Sequence, residues 1–479
     1  MEREREIARG GGDGGGCGVA GSARKGAGGG VYGHIVKYLP GFDGELPFKL
    51  ETGYTSVDET EFFYYFVESE GNPEVDPLLL WLTGGLTCSA YSGLMFEVGP
   101  MEFDVENYTG GSLKLRYYPH GWTKVASMIF LDSPVGTGFS YARSAGGWYT
   151  SDVKSSEQAY QFVMKWLVDH PHSPSVELFI AGESYAGVHV PLITKMIIDG
   201  NKEDSKPYMN IKGYFVGSPQ TDQFIDKNSK FELAHRLALI SDEIYENAKR
   251  SCKGNYVNVD PENTECLAAV DEMKMCVKDV TESNVLKPTC EFSSPHRQGP
   301  HRRDLVADAS EFPLSPSVAP NSWCSVIQLT HSEIWGNDES VREALHIWKG
   351  TVPHWQRCNH SISYTQDVSS VVSVHKELSR LPLEVLVQSG DHDMMVTYTG
   401  TLRWMKSLNL TMTEDWRPWY VDDQVAAYVS KYSENGHHLT FATRCKMQIS
   451  QIWAGHPATE YTRKECCLMF DRWIHHQAI

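Results

Sequence analysis

Four short, mostly apolar runs have strand character: residues 125–131, 177–181, 384–388 and 439–443. Their apolar positions are nearly continuous instead of alternating, as a sheet covered on both faces demands. Between the first two lies 152–170, where Val153, Ala159, Phe162, Val163, Trp166 and Leu167 fall mostly at helical spacing behind an N-cap candidate at Ser151 or Asp152. Strand, helix, strand in that order predicts a parallel crossover unit. A second helix is expected from about 185 to 198. The chain reads as α/β, with a mixed, mostly parallel sheet and helices on both faces.

Two regions depart from this pattern. Residues 1–30 are rich in glycine with a mixed-charge start and no apolar run of the kind a secretory leader carries, so a disordered tail is expected there. From about 252 to 320 the chain is polar, holds Cys252, Cys266, Cys276 and Cys290, and runs into Pro-, Ser- and Arg-rich sequence. A disulfide-pinned helical insertion at about 222–330, ending in a flexible, cleavable linker, is the economical reading. The remainder, 31–479, is expected to form one domain around that insertion.

Composition narrows the function. The chain has 479 residues, 41% of them hydrophobic, which is ample for a large core. Its 61 acidic and 43 basic side chains give a net charge of −18. That balance argues against nucleic acid as a partner, because such binding needs a concentrated Lys/Arg surface. No apolar run approaches the roughly 20 residues of a membrane span. Eleven cysteines and three acceptor sequons, at Asn107, Asn359 and Asn409, suggest an oxidising, glycosylating compartment, although no leader is visible. Cys466-Cys467 and the scattered histidines lack the paired short spacings of a zinc site, so no metal is expected.

Chemistry concentrates in Gly182-Glu183-Ser184-Tyr185-Ala186-Gly187. A strand that reverses sharply into a helix tolerates only small residues two before and two after the central one, and Gly182 and Ala186 supply them. Ser184 would stand at the carboxyl edge of the sheet, with the following helix aiming its N–H groups at any negative charge that develops. A serine nucleophile needs a base, and the base an orienting acid, in the chain order Ser, Asp or Glu, His. Asp391 follows a strand directly; Asp393 is its rival. The late histidines are His437, His438 and His456, and His456 sits in the small-residue loop Ala454-Gly455-His456-Pro457. Paired glycines in Thr83-Gly84-Gly85-Leu86-Thr87-Cys88-Ser89 make that loop a natural donor to an oxyanion.

With these motifs, together with Asp132-Ser133-Pro134-Val135-Gly136-Thr137-Gly138-Phe139-Ser140, Gly217-Ser218-Pro219 and Ser389-Gly390-Asp391-His392-Asp393-Met394, the chain resembles the serine carboxypeptidase family. The likeness is greatest to the plant serine carboxypeptidase-like acyltransferases, over residues 31–474. The resemblance implies an α/β-hydrolase fold with Ser184 as nucleophile, Asp391 as orienting acid, His456 as base, and the N–H groups of Gly85 and Tyr185 as oxyanion donors. It places Thr83, Gly84, Glu97 and Glu183 at the substrate carboxylate or acyl donor, with Thr83 where the peptidases usually have Asn. It also implies disulfides Cys88–Cys324, Cys252–Cys266 and Cys276–Cys290, cleavage within about 293–322 into two disulfide-linked chains, and a vacuolar or extracellular destination. No cofactor is implied.

Two features differ from the family pattern. Leu86-Thr87 stand where the family has Pro-Gly, which would reshape the loop if position 87 needed a backbone conformation only glycine tolerates. Residues 444–453 form an insertion before His456 that could displace it. The resulting expectation is acyl transfer through an acyl-enzyme, from a 1-O-glucose ester to an alcohol or amine. The alternatives are an acid serine carboxypeptidase and a catalytically silent member of the family.

Overall fold

The computed structural model of the protein describes residues 24–25, 31–105, 112–171, 176–287, 325–444 and 455–479. Its main sheet has 13 strands. The eleven longest are β1 (Val31–Val36), β2 (Leu50–Val57), β3 (Thr60–Val67), β4 (Leu78–Leu82), β5 (Ser127–Leu131), β6 (Leu178–Glu183), β7 (Ile211–Gly217), β8 (Glu384–Gly390), β9 (Thr411–Val421), β10 (Gln424–Glu434) and β11 (His437–Arg444). Their order across the sheet is β1-β2-β3-β5-β4-β6-β7-β8-β11-β10-β9. The six central strands, from β5 to β11, pair in parallel, and the pairs on either side are antiparallel.

The continuous apolar runs divide between two cores by strand parity. Leu79 and Trp81, Met128 and Phe130, and Phe179 and Ala181 point into one cluster. Leu78, Leu80 and Leu82, Ile129 and Leu131, and Leu178 and Ile180 point into the other. A period of two with both faces covered keeps the middle of these strands apolar, with Ser127 and Glu183 only at strand ends, which is why they do not alternate.

Helices cover each face. On one lie α1 (Asp152–Asp169), through Phe162, Val163 and Trp166, and α2 (Ala186–Lys202), through Val190, Ile193 and Ile197. The Ser151 hydroxyl caps α1 by accepting from Lys154 N–H. The expected crossover forms: β5, α1 and β6 run strand, helix, parallel strand, with β4 seated between the two strands.

Between β7 and β8 the chain builds three helices, α3 (Gln223–Arg236), α4 (Asp242–Cys252) and α5 (Thr264–Val277), around a small core of their own with Phe231, Leu233, Ala248 and Met273. Further along, α6 (Ser325–Asn337) contributes Trp335 to the opposite face of the sheet. There it joins the terminal helix α8 (Arg463–Ile474), while α7 (Tyr398–Ser407) packs Trp404 on the α1 side. In α8, Phe470 stacks on Trp122 with ring centroids 3.9 Å apart.

The disulfides differ in part from those the resemblance implies. Cys252–Cys266 forms, joining the end of α4 to the start of α5. Cys88 bonds to Cys358 instead of Cys324. The reason is local: Ser89 N–H donates to the Arg357 carbonyl (2.7 Å) and Asn359 N–H to the Thr87 carbonyl (3.0 Å), so the two chains lie antiparallel with the cysteines opposite each other. Cys276 is exposed and forms no disulfide among the described residues. Cys290, Cys324, the 293–322 linker and Asn107 lie outside the described residues, as does the glycine-rich start apart from residues 24 and 25. Peptide mapping under non-reducing conditions is expected to recover Cys88 joined to Cys358 and Cys252 joined to Cys266; a Cys88–Cys324 peptide would contradict the pairing.

Candidate active site

Parallel strands bring their carboxyl ends to one edge, and the chemistry gathers there. β6 ends at Glu183, Ser184 takes φ 58° in the left-handed region, and α2 begins at Ala186. A Cβ on Gly182 would lie 2.6 Å from the Ala186 Cβ and 2.6 Å from the Leu82 carbonyl, so this crossing needs glycine. The turn is held from the neighbouring strand: Ser184 N–H donates to the Gly217 carbonyl (2.8 Å), and Gln220 N–H donates to the Ser184 carbonyl (2.9 Å). Strain of this kind persists only where the surroundings over-determine it.

His456 reaches this turn from the far end of the chain. Its backbone N–H donates to the Ser283 carbonyl (2.6 Å), and its ring stands with Nε2 2.7 Å from Ser184 Oγ. The displacement expected from the 444–453 insertion does not occur; residues 445–454 themselves lie outside the described residues.

The carboxylate that meets His456 is Asp393, not the expected Asp391. Asp393 Oδ2 lies 2.7 Å from His456 Nδ1, and its Oδ1 accepts from Met395 N–H (2.7 Å) and Val396 N–H (3.0 Å). Asp391 instead faces His392, whose Nδ1 lies 2.7 Å from its Oδ1. β8 extends two residues beyond the apolar run, to Gly390, so Asp391 is the first loop residue, and the loop turns back toward the imidazole only at 393. A carboxylate accepts, so His456 carries its proton on Nδ1 and its Nε2 accepts from the Ser184 hydroxyl. His437 is buried with Nδ1 on the Leu381 carbonyl, and His438 Nδ1 meets Ser433 Oγ; neither ring meets Ser184.

The glycine loop packs directly on the nucleophile. A Cβ at Gly84 would lie 2.4 Å from the Ser184 Cβ. Gly85 takes φ 58°, whereas Thr87 keeps a negative φ, so position 87 does not need glycine and the loop forms with threonine there. Among the described residues, neither Gly85 N–H nor Tyr185 N–H meets an acceptor. Asp132, at the end of β5, is buried and accepts from Ser89 Oγ (2.6 Å), Ala90 N–H (2.9 Å) and Phe139 N–H (2.9 Å). It anchors the glycine loop and has no contact with the imidazole.

The other family positions line the same edge. Thr83 follows β4, and its Oγ1 is buried without a partner among the described residues. Glu183 accepts from Thr459 Oγ1 (2.7 Å), three residues beyond His456. Glu97 is buried: desolvation, and after it the neighbouring Glu460 carboxyl, push its pKa up to about 8 against the pull of Arg357 and Arg463. Glu460 is raised for the same first reason. The buried Arg463 guanidinium donates to the Glu97 carbonyl (3.1 Å) and the Gly99 carbonyl (2.7 Å) and lies 3.7 Å over the Tyr118 ring, which fixes the Glu97 turn. Sequence reading did not single out Thr459, Glu460 or Arg463; their placement one helical turn or two beyond the candidate base was the available signal. No metal-ligand cluster occurs among the described residues.

Comparison with known proteins identifies the family. The serine carboxypeptidase family pattern matches residues 40–476. Serine carboxypeptidase-like 17 of Arabidopsis thaliana is 43% identical over 450 residues, covering 93% of this chain and 94% of that protein. Serine carboxypeptidase-like 16 of the same plant is 41% identical over 448 residues, covering 93% and 94%. Among solved structures, KEX1(delta)p, a prohormone-processing carboxypeptidase from Saccharomyces cerevisiae, shares the fold with a TM-score of 0.70 at 18% identity, over 92% of this chain and 95% of that one. The α/β-hydrolase architecture, the ordered motifs and these likenesses converge: the chain belongs to the serine carboxypeptidase family.

Proposed function

We propose that this protein transfers acyl groups through an acyl-enzyme on Ser184, taking them from 1-O-glucose esters and passing them to an alcohol or amine. The observation that carries the reading is the unbroken chain Ser184 Oγ, His456, Asp393 at 2.7 Å per link, beside the Gly85 and Tyr185 N–H groups, which meet no acceptor among the described residues. Ser184 Oγ attacks the ester carbonyl as His456 Nε2 takes its proton, and Gly85 and Tyr185 N–H receive the oxyanion. The protonated imidazole then gives that proton to the departing sugar oxygen. In the second half His456 takes a proton from the acceptor, the acceptor displaces Ser184 from the acyl carbon, and the imidazole returns that proton to Ser184 Oγ. The ordinary backbone of Thr87 and the position of His456 both favour an active protein over a silent one.

Thr83, in place of the usual Asn, favours transfer over peptide hydrolysis. An acid carboxypeptidase is the second reading, because Glu97 is protonated at acid pH and can donate to a terminal carboxylate as well as to a sugar hydroxyl. Two disulfides and the exposed sequon residue Asn409 support maturation in the secretory pathway, with vacuole or exterior as destination. The Asn359 amide is half-buried and donates to the Gly136 carbonyl (3.0 Å), which disfavours a glycan there.

Incubation of pure protein with a hydroxycinnamoyl glucose ester and an acceptor alcohol is expected to yield the transferred ester, with a blocked dipeptide left intact; turnover of the dipeptide alone would overturn the transferase reading. Asp393→Asn should lower kcat by about 10³- to 10⁴-fold, as loss of the tautomer-fixing acid does. Asp391→Asn should leave fluorophosphonate labelling of Ser184 largely intact, and the reverse ranking would return the role to Asp391. Glu97 has a folded pKa near 8 against about 4.5 unfolded, so the stability it contributes is present below pH 4.5 and is lost as pH rises toward 8. The melting temperature of wild type relative to Glu97→Gln, which is neutral throughout, should therefore fall as pH rises from 5 to 8.

A further inference from the structure

Asp152 is the first residue of α1, yet its carboxylate serves no helix cap, since Ser151 performs that function. Both carboxylate oxygens are turned outward to other segments. Oδ1 accepts from the Tyr185 hydroxyl (2.7 Å) and from the Tyr364 hydroxyl (2.7 Å); Oδ2 accepts from Val368 N–H (2.9 Å). The side chain is fully buried. Tyr185 follows the nucleophile directly, and its backbone N–H is one of the two oxyanion donors in the reading above.

The surroundings explain why a hydrogen bond is needed there. A cavity of about 10 Å³, room for a single water, lies among Gly85, Leu86, Tyr185 and His189. The Tyr185 ring packs on Val188 and Val371, but the cavity leaves part of its surroundings unfilled, so its hydroxyl is fixed by the hydrogen bond to Asp152. His189 closes the cluster, with Nδ1 3.0 Å from Ser156 Oγ and Nε2 3.3 Å from the Tyr364 hydroxyl.

Tyr364 and Val368 belong to the segment that begins at Arg357 and Cys358. That segment also holds the other donor loop, through the Cys88–Cys358 disulfide and the two backbone bonds beside it. Its strand residues Tyr364 and Thr365 pair with Thr150 and Ser151, next to Asp152. One strap, 357–368, thus touches the supports of both oxyanion donors.

We infer that Asp152 is a positioning residue for acyl transfer, fixing the Tyr185 N–H through the Tyr185 phenol and tying it by way of Tyr364 and Val368 to the strap that also carries the glycine loop. The inference rests on the acyl-enzyme reading above. Misplacement of a donor costs rate and leaves ground-state binding little changed, because the oxyanion exists only in the tetrahedral state.

The test uses full-length protein with Asp152→Asn, Tyr185→Phe and the double variant. Three quantities are measured: kcat, KM for the ester donor, and the inhibition constant of a phenylboronic acid, which adds to the serine as a tetrahedral anion. Each single variant is expected to lose about 10- to 100-fold in kcat with KM within about twofold, and to weaken boronate inhibition in parallel. The double variant should be no worse than either single one, since both remove the same link. Unimpaired kcat, losses that multiply in the double variant, or lost kcat with unchanged boronate affinity would overturn the inference. Where Asp152→Asn fails to fold, Tyr185→Phe, which removes one oxygen, carries the test alone. An active wild type beside unimpaired variants overturns this inference only, whereas a wild type that neither turns over the ester nor takes a fluorophosphonate label overturns the acyl-enzyme reading as well.

Discussion

Six adjacent strands running the same way impose the constraint on which the rest of the molecule depends. Their carboxyl ends share one edge, so the glycine loop after β4, the nucleophile turn after β6 and the acid loop after β8 meet there however far apart they lie in sequence. Ser184 and His456 are 272 residues apart and within one hydrogen bond of each other. The parity of the strands supplies the rigidity: alternate side chains fill two separate cores, and each core is roofed by helices that cannot shift without opening it.

Rigidity matters because the edge holds groups that a protein interior ordinarily rejects. Asp393 is fully buried, and its charge is tolerated because one oxygen meets an imidazole and the other meets two backbone N–H groups. Asp132 and Asp152 are also buried, each accepting three hydrogen bonds from other segments of the chain. These carboxylates act as fasteners: Asp132 for the glycine loop, Asp152 for the nucleophile turn. Glu97 and Glu460 share a buried space, and burial disfavours their charged forms, as it does that of Asp132, whose carboxyl is pushed up to about 7.

Much of this was legible in the sequence, for reasons that can be named. The buried strands are continuous apolar runs, the turn at Ser184 demands small neighbours at Gly182 and Ala186, and a loop histidine late in the chain can reach across the edge. Less legible was anything decided by a shift of one or two residues. Ser389 and Gly390 lack the apolar character that marks a strand, so β8 runs further than its pattern, and the acid moves from Asp391 to Asp393. Disulfide partners depend on which loops lie side by side, and Cys358 sits in a loop with no periodic signal. Asp152 looked like the start of a helix, and its use by Tyr185 and Tyr364 is a fact of tertiary structure alone.

An acyl-enzyme at Ser184 is the step on which the proposed chemistry turns. Its most direct test is to mix the protein with a hydroxycinnamoyl glucose ester in the absence of acceptor, quench in acid, and measure the intact mass and the mass of each peptide. A gain equal to the acyl group is expected on the peptide that contains Ser184, lost when acceptor alcohol is added before the quench. An unmodified Ser184 peptide under conditions of turnover, or the acyl group on any other residue, would contradict it.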